Sequence, residues 1–321
     1  FAISWNWFGD NPLPLHLLNI VLYGITGIVL FNFCYLLFPN LIFSFVASML
    51  FMFHPIHTEV VANIKSIDEI LSFMLCISAC IFLIRYVQTK NIKSLVITSV
   101  CFFAALLSKE SSITFLAIFL LLILLKSDKK ATSFNWSEVL KPMLTLAVFA
   151  LLFLMIRHSV LSKIASGDPS IADNLLMAAK SYDQKFATAV LILGMYLKLL
   201  FIPHPLVFDY SYNQIPLVGI GNMWFILSLL IHTGLLIWAI LIWKKNKLLS
   251  FTVLFYFISM SIYSNIFYMI GSSFGERFLY TASFGFCMAV PYALSLISRN
   301  QNAENVVAFF KNNLTVLLIL M

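Results

Sequence analysis

The sequence predicts an all-α fold, a polytopic integral membrane helical bundle with about nine to eleven membrane segments. Three observations carry this. The chain is 61% hydrophobic and only 10% charged, with a mean hydropathy of +0.97, against about 25% charged residues in a soluble domain. Long apolar runs recur from end to end, so a single anchor on a soluble body is excluded. The runs are continuous rather than alternating. Backbone polar groups in lipid must be satisfied internally, so such runs choose helices over a barrel.

The net charge of +7 is not a nucleic-acid footprint. Much of it lies in short clusters at the ends of apolar runs: Arg85, Lys90 and Lys93; Lys126, Lys129 and Lys130; Lys244, Lys245 and Lys247. Basic loops of this kind face the cytoplasm. The five cysteines, Cys34, Cys76, Cys80, Cys101 and Cys287, all fall inside apolar segments without a CxxC pair, so neither disulfides nor structural zinc are expected.

In chain order, residues 1–15 carry Trp5, Trp7, Pro12 and Pro14 and read as the tail of an extramembrane loop. A first span covers His16 to Phe38, and Pro39-Asn40 makes a turn. A short span from Leu41 to Phe53 runs into His54-Pro55-Ile56-His57-Thr58-Glu59. A third span covers Ile70 to Arg85. Two runs too short to cross, Leu95–Leu107 and Ile113–Leu125, flank Ser108-Lys109-Glu110-Ser111-Ser112, a turn expected to be recessed. A span from Pro142 to Ile156 leads into the longest polar stretch, residues 158–185. Phe186–Ile202 precedes a proline- and aromatic-rich loop, residues 203–216. Trp224 and Trp243 bracket a span nineteen residues long, about 28 Å at helical rise. Spans over Leu249–Ile270 and from Arg277 to Ile297 follow. Residues 16–297 thus form the membrane domain, and 298–321 a polar loop leading to the start of a further membrane segment. If the basic loops are inside, the polar motifs gather on the outer face. Both ends of Phe186–Ile202 then lie outside, which predicts a re-entrant segment. Were that segment to cross instead, the sidedness of everything after it would invert.

Several residues are candidates for chemistry, each with a plainer alternative. His54, His57 and Glu59 suit substrate binding. The same stretch also reads as an ordinary helix start capped by Thr58, and imidazole with carboxylate also suits a divalent metal. Asp68 and Glu69 open a helix, where acidic residues are ordinary dipole partners. Lys109 and Glu110 are either a hairpin ion pair with snorkelling stems or, for Lys109, a point charge for a phosphate. Glu276 and Arg277 precede Tyr280. Arg277 offers a fork for phosphate, or it anchors a helix end at the interface. His204, Asp209 and Tyr210 sit in a loop suited to sugar or lipid contacts, or to an aromatic belt.

Four stretches occur in the order found in one family: His54-Pro55-Ile56-His57-Thr58-Glu59 through Asp68-Glu69; Leu107-Ser108-Lys109-Glu110-Ser111; Pro203-His204-Pro205-Leu206-Val207-Phe208-Asp209-Tyr210-Ser211; and Gly275-Glu276-Arg277-Phe278-Leu279-Tyr280. Over about residues 8 to 290 the chain resembles the membrane portion of the transmembrane and tetratricopeptide-repeat proteins and their bacterial relatives, among the GT-C glycosyltransferases. The resemblance implies transfer of a sugar from a polyprenyl-phosphate carrier to a protein or glycan acceptor on the non-cytoplasmic side. In animal members the reaction is protein O-mannosylation. It implies substrate-binding roles for the motif residues named above, and a periplasmic or ER-luminal active face. The family's acidic catalytic residue lies in the first large outer loop, upstream of Phe1, so the catalytic residue is left unassigned. Ile67 stands where relatives often carry arginine. The rival classes are a lipid or solute transporter or flippase, which needs an intramembrane polar path, and a non-catalytic membrane scaffold.

Overall fold

A computed structural model describes residues 11–126, 136–162, 171, 173–207, 210 and 214–299. The outer parts of the expected first and last segments (1–10 and 300–321) lie outside these. Ten helices of twelve or more residues are present among the described residues: α1 (Leu13–Leu37), α2 (Leu41–Met52), α4 (Ile67–Thr89), α5 (Ile92–Ser108), α6 (Phe115–Lys126), α7 (Trp136–Leu161), α8 (Tyr182–Phe201), α9 (Met223–Ile242), α10 (Lys247–Met260) and α11 (Tyr280–Arg299). A short helix α3 (Thr58–Ala62) follows the 3-10 turn Pro55–His57. No strand occurs among the described residues. Six helical stretches are long and apolar enough to cross a membrane; α2 together with the bent segment Pro55–Ala62 would make a seventh.

Local sequence sets the helix boundaries. Asparagines dominate the caps. Asn40, Asn91, Asn222 and Asn246 each accept a hydrogen bond from a backbone N–H in the first turn of α2, α5, α9 and α10, and Ser181 does so for α8. This satisfies donors that a helix start otherwise leaves unpaired. Lys90 ends α4 in the left-handed region at φ 56°. Asn265, at φ 54°, stops the expected Leu249–Ile270 span early. α10 ends at Met260, and the remainder is a 3-10 turn and loop.

The chain divides into two compact units, residues 1–39 with 60–168, and residues 40–59 with 169–321. In the first, α4 is the hub and packs on α1, α5 and α6, while α7 packs on α5 and α6. Buried Thr26, Thr98 and Ser99 return their hydroxyls to carbonyls four residues earlier, so none of these three hydroxyls is stranded. Lys126 Nζ donates to the Leu36 and Leu37 carbonyls (2.6 and 3.2 Å). The cation thereby closes the C-terminus of α1, where the helix dipole is negative. Cys76 and Cys80 are buried thiols packed within α4.

In the second unit α11 packs on α2 and α10, and α9 on α8 and α10. Two glycines permit these approaches. A Cβ at Gly194 would lie 2.8 Å from Ser228 Oγ, and one at Gly285 only 2.6 Å from the Thr252 carbonyl oxygen. Small residues at helix contacts let backbones close on each other in membrane proteins. Phe51, Phe255, Phe284 and Tyr280 form an edge-to-face aromatic core between α2, α10 and α11.

The direction of α8 bears on the re-entrant expectation. Phe186 meets Phe225, and Ser228 donates to the Val190 carbonyl, so residue numbers rise together along α8 and α9 and the two helices run parallel. The chain must therefore return between them. Val218 N–H donates to Thr188 Oγ1 (3.0 Å), and Ile215 packs in the cluster that contains Tyr196. The described residues between 214 and 222 thus lie back along α8, while α8 itself is one of the six helices long and apolar enough to cross.

Gly285→Val should reduce the melting temperature of the detergent-solubilised protein by many degrees, because the clash is with backbone. The same change at Gly24, which has open space around it, should leave it within a degree or two, as surface changes usually do. Equal effects would contradict this packing.

Candidate functional site

In the second unit the Pro55–His57 turn is pinned at both imidazoles. His54 accepts weakly from Ile56 N–H through Nδ1 (3.4 Å), and its Nε2 lies 3.1 Å from the Leu200 carbonyl. A carbonyl can only accept, so His54 is neutral with its proton on Nε2. His57 Nε2 lies 2.9 Å from Ser283 Oγ, and its ring packs on Phe51 and Tyr280. Both histidines are buried and their ring centroids are 5.9 Å apart. Thr58 is not the cap expected of it: its hydroxyl donates back to the Pro55 carbonyl, and His54 occupies the capping position.

The pinned turn aims Glu59. Its Oε2 accepts the Arg277 backbone N–H at 2.8 Å and its Oε1 accepts from Arg277 Nη1 at 2.7 Å. The Glu59 side chain is 10% exposed and that of Arg277 36%. The guanidinium carbon also sits 4.8 Å from the Phe278 ring centroid, a cation–π contact. The arginine is thus held on one edge and over one face. Its remaining N–H donors find no hydrogen-bond acceptor among the described residues.

Glu276, next in sequence, points elsewhere and is 3% exposed. Its Oε1 accepts from the Val207 backbone N–H (3.0 Å) and the Tyr210 hydroxyl (2.6 Å). Its Oε2 is buried without a hydrogen-bond partner among the described residues. This carboxylate latches the returning segment to the turn before α11. Burial, then the bond to the Glu276 carboxylate, pushes the Tyr210 phenol above its ordinary 10.0. The Gly275 N–H donates to the buried Tyr196 hydroxyl, which fixes the turn against α8. Tyr280 is fully buried in the aromatic core, a packing position rather than an exposed contact. His204 is exposed, ahead of a cis bond to Pro205. Asp209 lies outside the described residues.

In the first unit Lys109 and Glu110 do not pair with each other. Lys109 Nζ pairs with Glu69 Oε1 and lies 3.3 Å from Asp68 Oδ2, while Glu110 pairs with Arg157 at 2.7 Å. The Glu69 side chain is 3% exposed, so its charge depends on Lys109. Asp68 also accepts the Glu69 N–H. Lys109 therefore meets the carboxylates of Asp68 and Glu69 rather than that of its neighbour Glu110. No group of three or more His, Cys, Asp or Glu residues is placed to hold a metal ion among the described residues.

Several supporting residues carry no sequence signal. Ser283 and Tyr196 are ordinary helix residues until the fold brings them to His57 and Gly275. Asn174 donates to Asn265 Oδ1 and to the Ile270 carbonyl (3.1 and 2.8 Å). Asn265 in turn accepts from Ile270 N–H and donates toward the Ser272 and Ser273 carbonyls. This buried amide pair shapes the approach to Gly275. Asn265, a polar residue inside the apolar run Leu249–Ile270, was the only hint of it.

Comparison with known proteins gives a consistent result. The family model described as dolichyl-phosphate-mannose-protein mannosyltransferase matches residues 1–161. Protein O-mannosyl-transferase F38B6.6 of Caenorhabditis elegans is 29% identical over 90% of this chain and 40% of the relative. Protein O-mannosyl-transferase TMTC4 of Mus musculus is 26% identical over 94% of this chain and 46% of its own length. Protein O-mannosyl-transferase TMTC3 of Homo sapiens is 26% identical over 90% of this chain and 34% of the relative. The chain thus spans less than half the length of these relatives. No solved structure matches.

Two outcomes test the geometry. Lys109→Ala should destabilise its unit by on the order of 3 kcal/mol, the cost of stranding a buried charge, and a paired Lys109→Met/Glu69→Gln change should recover most of it. Equal loss in both, measured by denaturant melts in detergent, would contradict the pairing. Tyr210→Phe removes a bond to a carboxylate worth roughly 2 kcal/mol, so protease cleavage within residues 202–222 should accelerate severalfold. Because the Tyr210 pKa is raised in the folded state, the latch is complete below pH 10.0 and weakens only as pH rises through the raised value. Cleavage of the unaltered protein should therefore be insensitive to mild alkali.

Proposed function

Because the chain belongs to the dolichyl-phosphate-mannose-protein mannosyltransferase family, we propose that it is the membrane portion of an enzyme that transfers mannose from a polyprenyl-phosphate carrier to a protein hydroxyl. It is an integral membrane protein: the family and its six long apolar helices agree on this. In the proposed reaction the acceptor oxygen bonds to the anomeric carbon as the bond from that carbon to the phosphate oxygen breaks. The acceptor proton passes to a base, and the leaving phosphate keeps the electron pair. The site must then hold a developing anion.

The arrangement at Arg277 carries this reading. Its guanidinium is oriented by Glu59 and Phe278 yet 36% exposed, with donors to spare. A planar fork of this kind suits a phosphate. Glu59 then positions the arginine instead of touching carrier or acceptor, and the Glu276 latch places the aromatic returning segment beside it. The reaction is proposed to occur on the non-cytoplasmic face, which the basic loops leave to the polar motifs.

In membranes containing the intact protein, Arg277→Ala should lower transfer of labelled mannose from polyprenyl-phosphate mannose to an acceptor peptide roughly a hundredfold, the scale of losing one anion-stabilising donor group. Arg277→Lys should restore only part of it, since an ammonium lacks the fork. Transfer at the unaltered rate in Arg277→Ala, with normal protein levels, would overturn the role.

A further inference from the structure

A cleft of about 950 Å³ lies between α8, α9, α10 and α11, near the top of the range of roughly 300–1,000 Å³ for ligand pockets. Its walls are almost wholly apolar. Leu191, Met195, Lys198 and Phe201 contribute from α8, at the three- and four-residue steps of one helix face. Tyr196, whose hydroxyl serves the Glu59–Arg277 turn, does not line the cleft, and neither do Glu59 and Arg277. Leu200 lines it and also gives its carbonyl to His54, so the cleft adjoins that turn without including it.

Two features say what fits there. His232 lies in the wall, but both its nitrogens are engaged, by the Ser228 carbonyl at 2.8 Å and the Tyr256 hydroxyl at 3.3 Å, so it makes no demand on a ligand. Lys198 does. It is exposed along the cleft, its ammonium has no carboxylate within ion-pair distance among the described residues, and it stands in the apolar stretch of α8 that follows Thr188. A cation among apolar surfaces at membrane depth calls for an anion. Lys198 stands three residues before the C-terminus of α8 at Phe201, whereas Trp224 lines the cleft toward the start of α8, where Phe186 meets Phe225. A ligand there meets a cation near one helix end and hydrocarbon walls along the rest.

We propose that this cleft binds an anionic glycerophospholipid of the surrounding bilayer, its phosphate at Lys198 and an acyl chain between α8 and α9. The proposal does not rest on the transferase reading: the lipid is a second amphiphile, in a cleft that Arg277 does not line.

The test uses the intact protein in lipid nanodiscs doped with phosphatidylglycerol or phosphatidylcholine carrying a photoreactive acyl chain. Peptides from α9 that line the cleft should be labelled about fivefold more by the anionic lipid, the factor expected of one lysine worth about 1 kcal/mol near a charged headgroup. Lys198→Gln, an exposed position, should bring the two to equality. Ile231→Trp, which fills the cleft, should suppress labelling by both. Excess unlabelled polyprenyl phosphate should leave the labelling intact. Equal labelling by the two lipids in the unaltered protein, a preference that survives Lys198→Gln, or loss of label to polyprenyl phosphate would overturn the proposal. The last result would assign the cleft to the carrier.

Discussion

The ion pair between Glu59 and Arg277 is the constraint around which the second unit is arranged. One carboxylate takes both the side chain and the backbone N–H of the same arginine. The start of the turn before α11 is thereby fixed in position and its cation in orientation. Taking a carboxylate largely out of water costs several kcal/mol unless its lone pairs are met. Here they are met twice, by donors that belong to one residue. That arrangement needs Glu59 delivered to the right place. The two histidines do this, each using its outward nitrogen on a distant element: the end of α8 for His54 and α11 for His57. On the other side, Tyr196 and the Asn174–Asn265 pair hold the loop that leads to Gly275.

The same economy runs through the polar groups of both units. Lys126 closes a helix end, Lys109 neutralises a buried glutamate, and Arg157 meets Glu110. Two other cations are placed differently. Arg277 keeps an exposed edge after its partner is satisfied. Lys198 has no such partner among the described residues. One lies beside a latched aromatic segment and the other in an apolar cleft.

Much of the fold was legible in the sequence because membrane helices are written in long apolar runs and their ends in asparagine and tryptophan. The all-α membrane bundle and the short α5 and α6 followed from run lengths. The early end of α10 did not, because it depends on Asn265 adopting a left-handed backbone and bonding across a loop, which hydropathy does not register. The candidate site was legible as a set of residues and not as a set of partners. His54, His57, Glu59, Glu276 and Arg277 stood out as polar groups in apolar surroundings. That Glu59 would hold Arg277, that Lys109 would turn to Asp68 and Glu69 rather than to its neighbour, and that Ser283 would meet His57 are facts of tertiary structure between residues up to 226 positions apart.

If Glu59 acts only through Arg277, the two must behave as one unit in the proposed transfer reaction. The most direct measurement is a double-mutant cycle in the intact protein, comparing mannose transfer in Glu59→Gln, Arg277→Gln and the double variant. Residues that act together are non-additive, so the double variant should be no slower than Arg277→Gln alone. Multiplying losses would mean that Glu59 works independently of the arginine, and would contradict the account.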